Sequence, residues 1–332
     1  MTIVSRVAVR NTSYANFKEV GVVPTTLPPP GNEASRTYGD FFEDGSLSLF
    51  TYSNGVYQFW TRLSSGTWSP KPNFTTPIVD PSCVARKGVV ADFNEDRKPD
   101  ILLICQGLDA PPFPGARNRI LLSVPGGGYR LGDVGPEVSF HHGGAACDLN
   151  GDGHIDYVST GSPDRPRNPL LVYYGDGRGG FTLVPNHPLT AVLNSSSIEC
   201  LDVNEDGLLD IVTGGNEQDG LGTATAILYG TPSGAFVRQV IPAVADRGGV
   251  TDFTVTGTGV NRTLWVSRTG GASSSFYIGR VLQRVNLKTL ESTLAVNDAA
   301  PWVVWFIPYT RAGTDFIGSD RLEDAIEVIR KP

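Results

Sequence analysis

The stretch "DLNGDGHIDY", residues 148–157, is the part of the sequence that decides the fold. It places Asp148, Asn150, Asp152 and Asp156 at positions 1, 3, 5 and 9 of a short loop that contains glycine. Carboxylates and an amide gathered so closely are typical either of a solvated acidic turn or of a loop that binds a cation. A single copy does not separate these alternatives, so the rest of the chain has to be searched for further copies.

The acidic loop is repeated along the chain. The segments "DFNEDRKPDI" (92–101) and "DVNEDGLLDI" (202–211) share with it the pattern D-x-N-x-D-x-x-x-D followed by an apolar residue. Weaker copies begin at Asp40, Asp252 and Asp315, so first aspartates recur every 50 to 63 residues. Within each period, apolar and β-branched segments alternate with glycine-rich turns, which predicts four antiparallel strands. Repeats of this length and content are typical of the blades of a β-propeller.

The two ends of the chain complement each other. The N-terminal segment 6–20 reads as the second half of a repeat, and the C-terminal segment 315–329 reads as the first half of one. We therefore predict one domain over residues 1–332, an all-β, six-bladed β-propeller with four-stranded antiparallel blades. The N- and C-terminal strands would share the last blade and close the ring, which removes exposed sheet edges. An open array or two domains are the alternatives.

The repeats resemble those of the FG-GAP and VCBS families, which occur in integrin α-subunit propellers, some fungal lectins and many secreted bacterial proteins. The resemblance rests on "CDLNGDGHIDYVSTG" (147–161), "LDVNEDGLLDIVTGG" (201–215) and the hairpin "YYGDGRGGF" (173–181). It covers nearly the whole chain and implies a calcium-binding propeller. It does not imply a particular activity, because one fold hosts many functions and the site decides between them.

The three intact loops have the ligand chemistry of calcium sites. Ca²⁺ takes about six to eight oxygen ligands, and the backbone carbonyl at position 7 can add to the four side chains. The absence of Cys or His side chains as ligands disfavours zinc. Gly153 and Gly207 allow a sharp bend after position 5, where the second copy has Arg97. We expect about three Ca²⁺ ions, mainly structural, and unmetallated acidic turns are the alternative. The predicted metal ligands are Asp92, Asn94, Asp96, the Lys98 carbonyl and Asp100; Asp148, Asn150, Asp152, the His154 carbonyl and Asp156; and Asp202, Asn204, Asp206, the Leu208 carbonyl and Asp210.

Basic or imidazole side chains stand four to seven residues before the first aspartate in five of the six repeats. In a propeller these segments reach the top face, the face opposite the loop between the first and second strands, near the central channel. Because the net charge of the chain is -7, such a cluster predicts an anionic ligand: a carboxylate, a sulfate or an acidic sugar. The alternative is that the cluster pairs with nearby carboxylates, namely Asp109, Asp164, Glu217 or Asp219. The predicted ligand-binding residues are Arg36, Arg86, Lys87, His141, His142, Arg247, Tyr309 and Arg311.

The sequence offers few candidates for catalysis. It contains no GxSxG, HExxH, P-loop or dinucleotide-binding pattern. Only His141 and His142, with Tyr309, are candidate catalytic residues, since a histidine near neutrality can act as a general base. We predict a binding module for a glycan, small-molecule or protein ligand on the top face. An enzyme is the alternative, either a lyase on an acidic polysaccharide or a small-molecule transformation or cyclisation in a shaped cationic pocket.

Composition bounds the partners and the compartment. The negative charge argues against a nucleic-acid binder, and no run of 18 apolar residues predicts membrane insertion. The N-terminus lacks an apolar core of signal-peptide type, so a secreted or periplasmic protein would have lost its signal beforehand. Four cysteines allow three disulfide pairings, and buried free thiols are the alternative. These cysteines are Cys83, Cys105, Cys147 and Cys200, and N-x-S/T triplets occur at Asn11, Asn73, Asn194 and Asn261.

Overall fold

The computed structural model of the chain is built from β-strands. It describes residues 35–44, 48–53, 55–65, 67–71, 82–108, 111–112, 114–161, 168–217, 224–256, 259–270, 278–301, 306–311, 314–319 and 329–330. Within these residues the helical segments are two short 3-10 turns, Pro188–Ala191 and Gly259–Asn261. Over the same part of the chain, no helix has the length and apolar character needed to cross a membrane.

Five antiparallel sheets contain four strands each, and we call them blades 1 to 5 in chain order. In every one of these blades, the strands that are neighbours in the sequence are also hydrogen-bonded neighbours in the sheet. The strands of blade 1, β1 to β4, are Ser35–Gly39, Ser48–Ser53, Val56–Arg62 and Trp68–Pro70. Those of blade 2, β5 to β8, are Ala85–Ala91, Asp100–Cys105, Arg119–Ser123 and Tyr129–Asp133.

Blades 3 to 5 repeat this arrangement. The strands of blade 3, β9 to β12, are Gly144–Cys147, Asp156–Ser159, Leu171–Gly175 and Phe181–Leu183. Those of blade 4, β13 to β16, are Ser195–Leu201, Asp210–Gly215, Ala226–Gly230 and Phe236–Val240. Those of blade 5, β17 to β20, are Gly249–Thr256, Thr263–Thr269, Ile278–Asn286 and Ser292–Pro301.

The last sheet corrects the predicted architecture. It has three strands, β21 (Phe306–Arg311), β22 (Thr314–Ser319) and β23 (Ile329–Arg330). The prediction of six four-stranded blades is therefore wrong, because the described residues form an all-β propeller with five four-stranded blades and one three-stranded sheet. The N-terminal strand expected to complete that sheet falls within residues 1–34, which lie outside the described residues.

In the degenerate repeats that begin at Asp252 and Asp315, the first aspartate does not mark the start of the loop. Asp252 lies inside β17 and is fully buried, and Asp315 lies inside β22. The turn between the first two strands of blade 5 begins only after Thr256, where the sequence has lost the acidic pattern. The Asp252 repeat nevertheless forms a complete four-stranded blade, so the difference from the prediction lies in the last sheet, for which three strands are described.

The chain divides into two compact units. One contains His142–Tyr174 and Leu183–Phe306, and the other contains the described residues up to His141 together with Gly175–Thr182 and those after Phe306. In the first unit, one apolar core lies between blades 3 and 4 and another between blades 4 and 5. In the second unit, aromatic side chains of blade 1 pack with aliphatic side chains of blade 2.

The strand sequences follow from burial on both faces. All residues of β6 ("DILLIC") and β14 ("DIVTGG") are buried; β6 is a continuous apolar run after its first aspartate, and β14 departs from one only at Thr213. Such runs are typical of strands that are covered on both faces, whereas alternation is typical of half-exposed strands. The fourth strand of blade 4, β16, is instead largely exposed, with Val237 and Arg238 facing solvent. In blades 2, 3 and 4 the buried apolar side chains of the sheets thus come from the first three strands, and the fourth strands have none.

All four cysteines are paired. Cys83 bonds Cys105 within blade 2, and Cys147 bonds Cys200, which joins the first strands of blades 3 and 4. The interpretation as buried free thiols therefore does not hold. Disulfides form and persist in oxidising compartments, so these two bonds indicate a protein of that environment.

A buried ion pair joins blades 4 and 5. The Arg268 guanidinium in β18 donates to Glu217 Oε2 at 2.9 Å and to Gln283 Oε1 at 2.7 Å. Glu217 Oε1 in turn accepts the backbone N–H of Thr225 at 2.8 Å. Burial lowers the pKa of Arg268, and the charge of Glu217 opposes that effect. Because the guanidinium is fully buried, the network stabilises the fold only while both partners are present.

Replacing Arg268 with Met should therefore destabilise the protein by about 3–5 kcal/mol, since Glu217 would be left as a buried, uncompensated charge. The measurement is urea unfolding followed by circular dichroism. Arg238→Met is the matched control, because that exposed guanidinium donates only to the Ala224 carbonyl in the described contacts, and it should change stability by no more than ~0.5 kcal/mol. Equal stability losses in the two variants would contradict this interpretation of the network.

Candidate functional site

The three acidic loops share one conformation. In the loop of blade 4, the carboxylate of Asp202 accepts the backbone N–H groups of Asp206 at 3.2 Å and Gly207 at 2.9 Å. Asn204 Oδ1 accepts the same Asp206 N–H, and Asp206 Oδ1 accepts the N–H of Leu208. The loops of blades 2 and 3 repeat these bonds at the equivalent positions. Side-chain oxygens at positions 1, 3 and 5 are thus gathered on the inside of each turn.

Two positions in each loop have left-handed backbone conformation. Gly153 and Gly207 at position 6 have φ values of 91° and 84°, as the sequence predicts, and Arg97 takes the same conformation with φ of 70°. Residues other than glycine rarely adopt this backbone conformation, because it costs free energy. The loop of blade 2 nevertheless keeps the turn with an arginine at this position. Position 4 is also left-handed in all three loops, a feature that sequence reasoning missed: Glu95, Gly151 and Glu205 have φ between 59° and 78°.

The aspartate at position 9 is turned into the blade. In blade 4, Asp210 Oδ2 accepts the N–H of Val203 and Oδ1 accepts the N–H of Gly230, both at 2.8 Å. Asp100 in blade 2 bonds Phe93 and Ser123 in the same way. The position 9 residues are 0% exposed in all three loops. In blades 2 and 4 this carboxylate therefore ties position 2 of the loop to the last residue of the third strand.

Burial changes the protonation of these carboxyl groups. Loss of hydration raises the pKa of Asp100 to about 7, although hydrogen bonds from Ser123 and Phe93 partly oppose the rise. The pKa of Asp210 is raised to about 6 for the same reason. Burial also raises the pKa of Asp92 at position 1 of its loop. Ionised carboxylates at these positions are therefore costly unless a positive charge lies nearby.

The degenerate copy in blade 1 shows which part of the loop is structural. Asp40 still accepts the N–H of Asp44 at 3.1 Å, and Glu43 at position 4 is left-handed with φ of 56°. At position 9, the Ser48 hydroxyl accepts the N–H of Phe41 at 2.8 Å and donates to the Gly39 carbonyl. Phe42, at position 3 in place of asparagine, packs edge-on against Phe59. The loop fold therefore survives without the position 9 carboxylate.

The donor set of the intact loops fits a hard cation by its chemistry, because it offers carboxylate, amide and carbonyl oxygens alone. The positions of these side chains do not form a complete metal site. Among the described residues, no three side chains of His, Cys, Asp or Glu converge as a metal cluster. The carboxylates at positions 1 and 5 accept backbone N–H groups of the loop, and the carboxylate at position 9 faces the strands. Calcium binding at these loops therefore stays a prediction.

The basic residues at the start of the first strands have different environments. Arg86 is half-buried, and its Nε donates to Gln106 Oε1. Lys87 and His141 are almost fully buried. His142 is half-buried, and its backbone N–H donates to Thr160 Oγ1 at 3.2 Å. Arg247 is also half-buried and donates to the carbonyl of Asp246 at 2.8 Å. Arg86, His142 and Arg247 thus have part of their side chains at the surface.

Strand register explains this difference between Arg86 and Lys87. A β-bulge in β5 lies between Ala85 and Lys87, which makes Arg86 the extra residue. The first strands of blades 4 and 5 carry the same bulge, with Ser196 and Thr251 as the extra residues. The residue after each bulge is buried, so Lys87 occupies a core position and is not part of an exposed cluster. A bulge has no clear sequence signature, and spacing alone therefore could not separate the two residues.

Several other predicted site residues, or their side chains, lie outside the part of the chain that the structure describes. Arg36 lies in β1, and Tyr309 and Arg311 lie in β21, but the side chains of all three are outside the described residues. Asp109, Asp164 and Asp219 also lie outside them. Glu217, proposed as a partner for the basic residues, pairs instead with Arg268, which the sequence analysis did not single out. No spacing rule would have found that partner, because it lies 51 residues further along the chain.

Comparisons with known proteins agree on the fold. Residues 148–213, which contain two of the acidic loops, match the FG-GAP-like repeat family. A comparison with curated proteins found no match. Among solved structures, the chain is similar to a triple arginine-to-alanine mutant of AofleA from Arthrobotrys oligospora, with a TM-score of 0.53 and 11% identity over 95% of this chain and 85% of that one.

Two further structures are similar at lower TM-scores. A chain of the nidogen/laminin complex has a TM-score of 0.48 and 12% identity over 86% of this chain and 93% of that one. A lectin from Agrocybe aegerita, whose structure concerns recognition of non-reducing terminal N-acetylglucosamine, has a TM-score of 0.46 and 10% identity over 80% and 65%. The similarity to AofleA concerns the fold alone, because one fold hosts many functions.

The structural role of position 9 can be tested at Asp210. Replacement with Ala would leave the buried N–H groups of Val203 and Gly230 unpaired, at about 1–3 kcal/mol each. Replacement with Ser should recover part of that loss, because Ser48 makes the equivalent bond to Phe41 in blade 1. In thermal unfolding with a chelator, the melting temperature should be highest for the wild type, lower for Asp210→Ser and lowest for Asp210→Ala. Equal stability of the two variants would show that the hydroxyl does not substitute for the carboxylate.

Proposed function

Because the protein is a β-propeller that carries an FG-GAP-like repeat, we propose that it is a calcium-stabilised, extracytoplasmic binding module that recognises an anionic glycan or protein ligand. One observation carries the proposal: within single blades, cationic or imidazole side chains stand at the start of the first strand, and carboxylates stand in the loop at its end. The two ends of these strands therefore suit partners of opposite charge.

Blade 2 shows this arrangement most fully. Its first strand has Arg86 near one end, and the loop with Asp92, Asp96 and Asp100 follows the other end. In blade 3, His142 precedes the strand and Asp148 follows it. The protein as a whole is acidic, with a net charge of -7. A basic side chain at one end of a strand therefore has the opposite sign to the net charge of the protein.

Arginine supports an anionic ligand for a specific reason. A guanidinium is planar and matches the paired oxygens of a carboxylate or sulfate, and it keeps its charge at all physiological pH values. The bond from Nε of Arg86 to Gln106 restricts the side chain in advance, which lowers the entropy that binding would cost. The ligand class that fits this chemistry is a uronate, a sulfated sugar or an acidic protein surface.

Calcium would act at the other end of the strands. In blade 4, Asp202, Asn204, Asp206 and Asp210 would hold the ion together with the carbonyl of Leu208, and the loops of blades 2 and 3 would do the same. The ion would supply positive charge where carboxylates are crowded and partly buried, and its role would be structural. The two disulfides support an extracytoplasmic location, secreted or periplasmic, because such bonds persist in oxidising compartments.

Calcium should raise the thermal stability of chelator-treated protein. A ligand that binds only the folded state adds roughly 2.7 kcal/mol per site when its free concentration is about 100 times Kd. The measurement is the melting temperature in EDTA, then with excess Ca²⁺ or excess Mg²⁺. Asp206→Asn should reduce the calcium increment.

A hairpin aspartate provides the matched control for this experiment. Asp176→Asn changes a carboxylate whose Oδ1 accepts the N–H groups of Arg178 and Gly180 outside the acidic loops, so it should leave the calcium increment intact. A melting temperature that does not respond to calcium would refute calcium stabilisation.

Ligand binding should depend on Arg86. A glycan array and solutions of polygalacturonate and heparin provide anionic probes, and Arg86→Ala should weaken the best of them about tenfold, as expected for a loss of ~1.4 kcal/mol at a charge-assisted hydrogen bond. Arg238→Ala, on the exposed fourth strand of blade 4, is the control and should bind like the wild type. Unchanged affinity of Arg86→Ala at unchanged stability would remove this residue from the site. Cleavage of a probe to unsaturated products would favour a lyase instead.

A further inference from the structure

Two ion pairs connect the loop regions of neighbouring blades. In one unit, Lys98 Nζ of blade 2 lies 2.6 Å from Glu43 Oε1 of blade 1. In the other, Arg262 Nη1 of blade 5 lies 2.8 Å from Glu205 Oε1 of blade 4. Each pair joins an intact acidic loop to a copy that has lost the acidic pattern. The degenerate copies therefore still contact the loops beside them.

The two pairs follow the same rule. Glu43 and Glu205 both stand at position 4 of their copies, and both have left-handed backbone, with φ of 56° and 63°. Lys98 and Arg262 both lie in the turn that leads into the second strand of the following blade. The contact thus runs in each case from position 4 of one blade to a basic residue of the next blade.

At a third pair of equivalent positions, in blades 3 and 4, both charged residues are absent. Position 4 of blade 3 is Gly151, which has no side chain, and the equivalent position in the turn of blade 4 is Leu208. The carboxylate and the cation are therefore present together or absent together in these three cases. This pattern is expected if the two residues interact.

The contacts of Arg262 show how such a pair could hold a loop. Its Nη2 donates to the backbone carbonyl of Asp202, which is position 1 of the loop in blade 4. The second carboxylate oxygen of Glu205 accepts the N–H of Gly259 at 3.0 Å, so both oxygens are held by blade 5. The side chain of Arg262 is 16% exposed and that of Glu205 is 41% exposed. Positions 1 and 4 of the loop are thereby fixed to the neighbouring blade.

We propose that a glutamate at position 4 and a basic residue of the following blade form a latch between loops, which keeps the acidic loop of blade 4, and that of blade 2, folded when no divalent cation is bound. The latch goes beyond the proposed ligand binding and does not require calcium. It also gives the degenerate turn of blade 5 a role, since Arg262 brings a covalently attached positive charge to an acidic loop. In blade 1, the corresponding carboxylate of Glu43 positions Lys98.

Hydrogen exchange in EDTA at low ionic strength tests the latch without any metal. The N–H groups of Asp206, Gly207 and Leu208 are bonded inside the loop, so their exchange reports its opening. Arg262→Met and Glu205→Gln should each accelerate their exchange roughly two- to fivefold, as expected for a partly exposed ion pair. The double variant should exchange no faster than Arg262→Met alone, because Arg262→Met already removes the ion pair that Glu205→Gln weakens.

The loop of blade 3 lacks this ion pair, so it serves as an internal reference and as a place to introduce the pair. Its exchange at Asp152, Gly153 and His154 should be the same in Arg262→Met as in the wild type. Joint replacement of Gly151→Glu and Leu208→Arg should then slow exchange in that loop, because the space around Gly151 is open and glutamate adopts the same backbone at Glu43 and Glu205.

Two results would overturn the latch: unchanged exchange in Arg262→Met, or fully additive effects in the double variant. A rise in exchange throughout the protein, including strand β14, would show general unfolding. In that case Arg262→Lys, which keeps the positive charge, should show slower exchange in the loop of blade 4 than Arg262→Met. Repeating the series with calcium tests the proposed metal binding separately. A failure to slow exchange with calcium would count against the metal and leave the comparison in EDTA unaffected.

Discussion

The hydrogen bond from the backbone N–H at position 2 to the side chain at position 9 is the interaction on which the repeats of blades 1 to 4 depend. It closes the loop between the first and second strands, whether the acceptor is Asp100, Asp156, Asp210 or the hydroxyl of Ser48. The acceptor lies at the first residue of the second strand, so the bond also fixes the register in which the two strands pair. Burial of these strands on both faces then supplies the core.

The same bond creates an electrostatic problem in the intact copies. A buried carboxylate at position 9 lies close to further acidic side chains, and burial raises the pKa of Asp100 and of Asp210. Positive charge near the loop would offset this cost. Lys98 within the loop of blade 2, and Arg262 of blade 5 beside the loop of blade 4, provide some of it, and the proposed calcium ions would provide more. Blade 1 avoids the problem, because Ser48 is neutral.

The sequence predicted the repeat, the four-stranded blade and the strands around each intact loop, because these follow from a local pattern of turns and apolar runs. It misplaced the loop where the pattern was degenerate, since Asp252 and Asp315 lie inside strands, and it gave four strands to the last sheet, for which three are described. It also failed for contacts between blades, such as Arg268 with Glu217, since these depend on packing between distant segments. The bulge that separates Arg86 from Lys87 belongs to the same class of feature.

The number of calcium ions bound per chain tests the central claim most directly, namely that the repeated acidic loop is a cation site as well as a structural turn. Native mass spectrometry of protein freed of metal and then titrated with Ca²⁺ would count them. The loops of blades 2, 3 and 4 predict up to three bound ions, with one lost in Asp152→Asn and one in Asp206→Asn. A chain that binds no calcium at millimolar concentration would contradict the claim and leave the loops as structural turns alone.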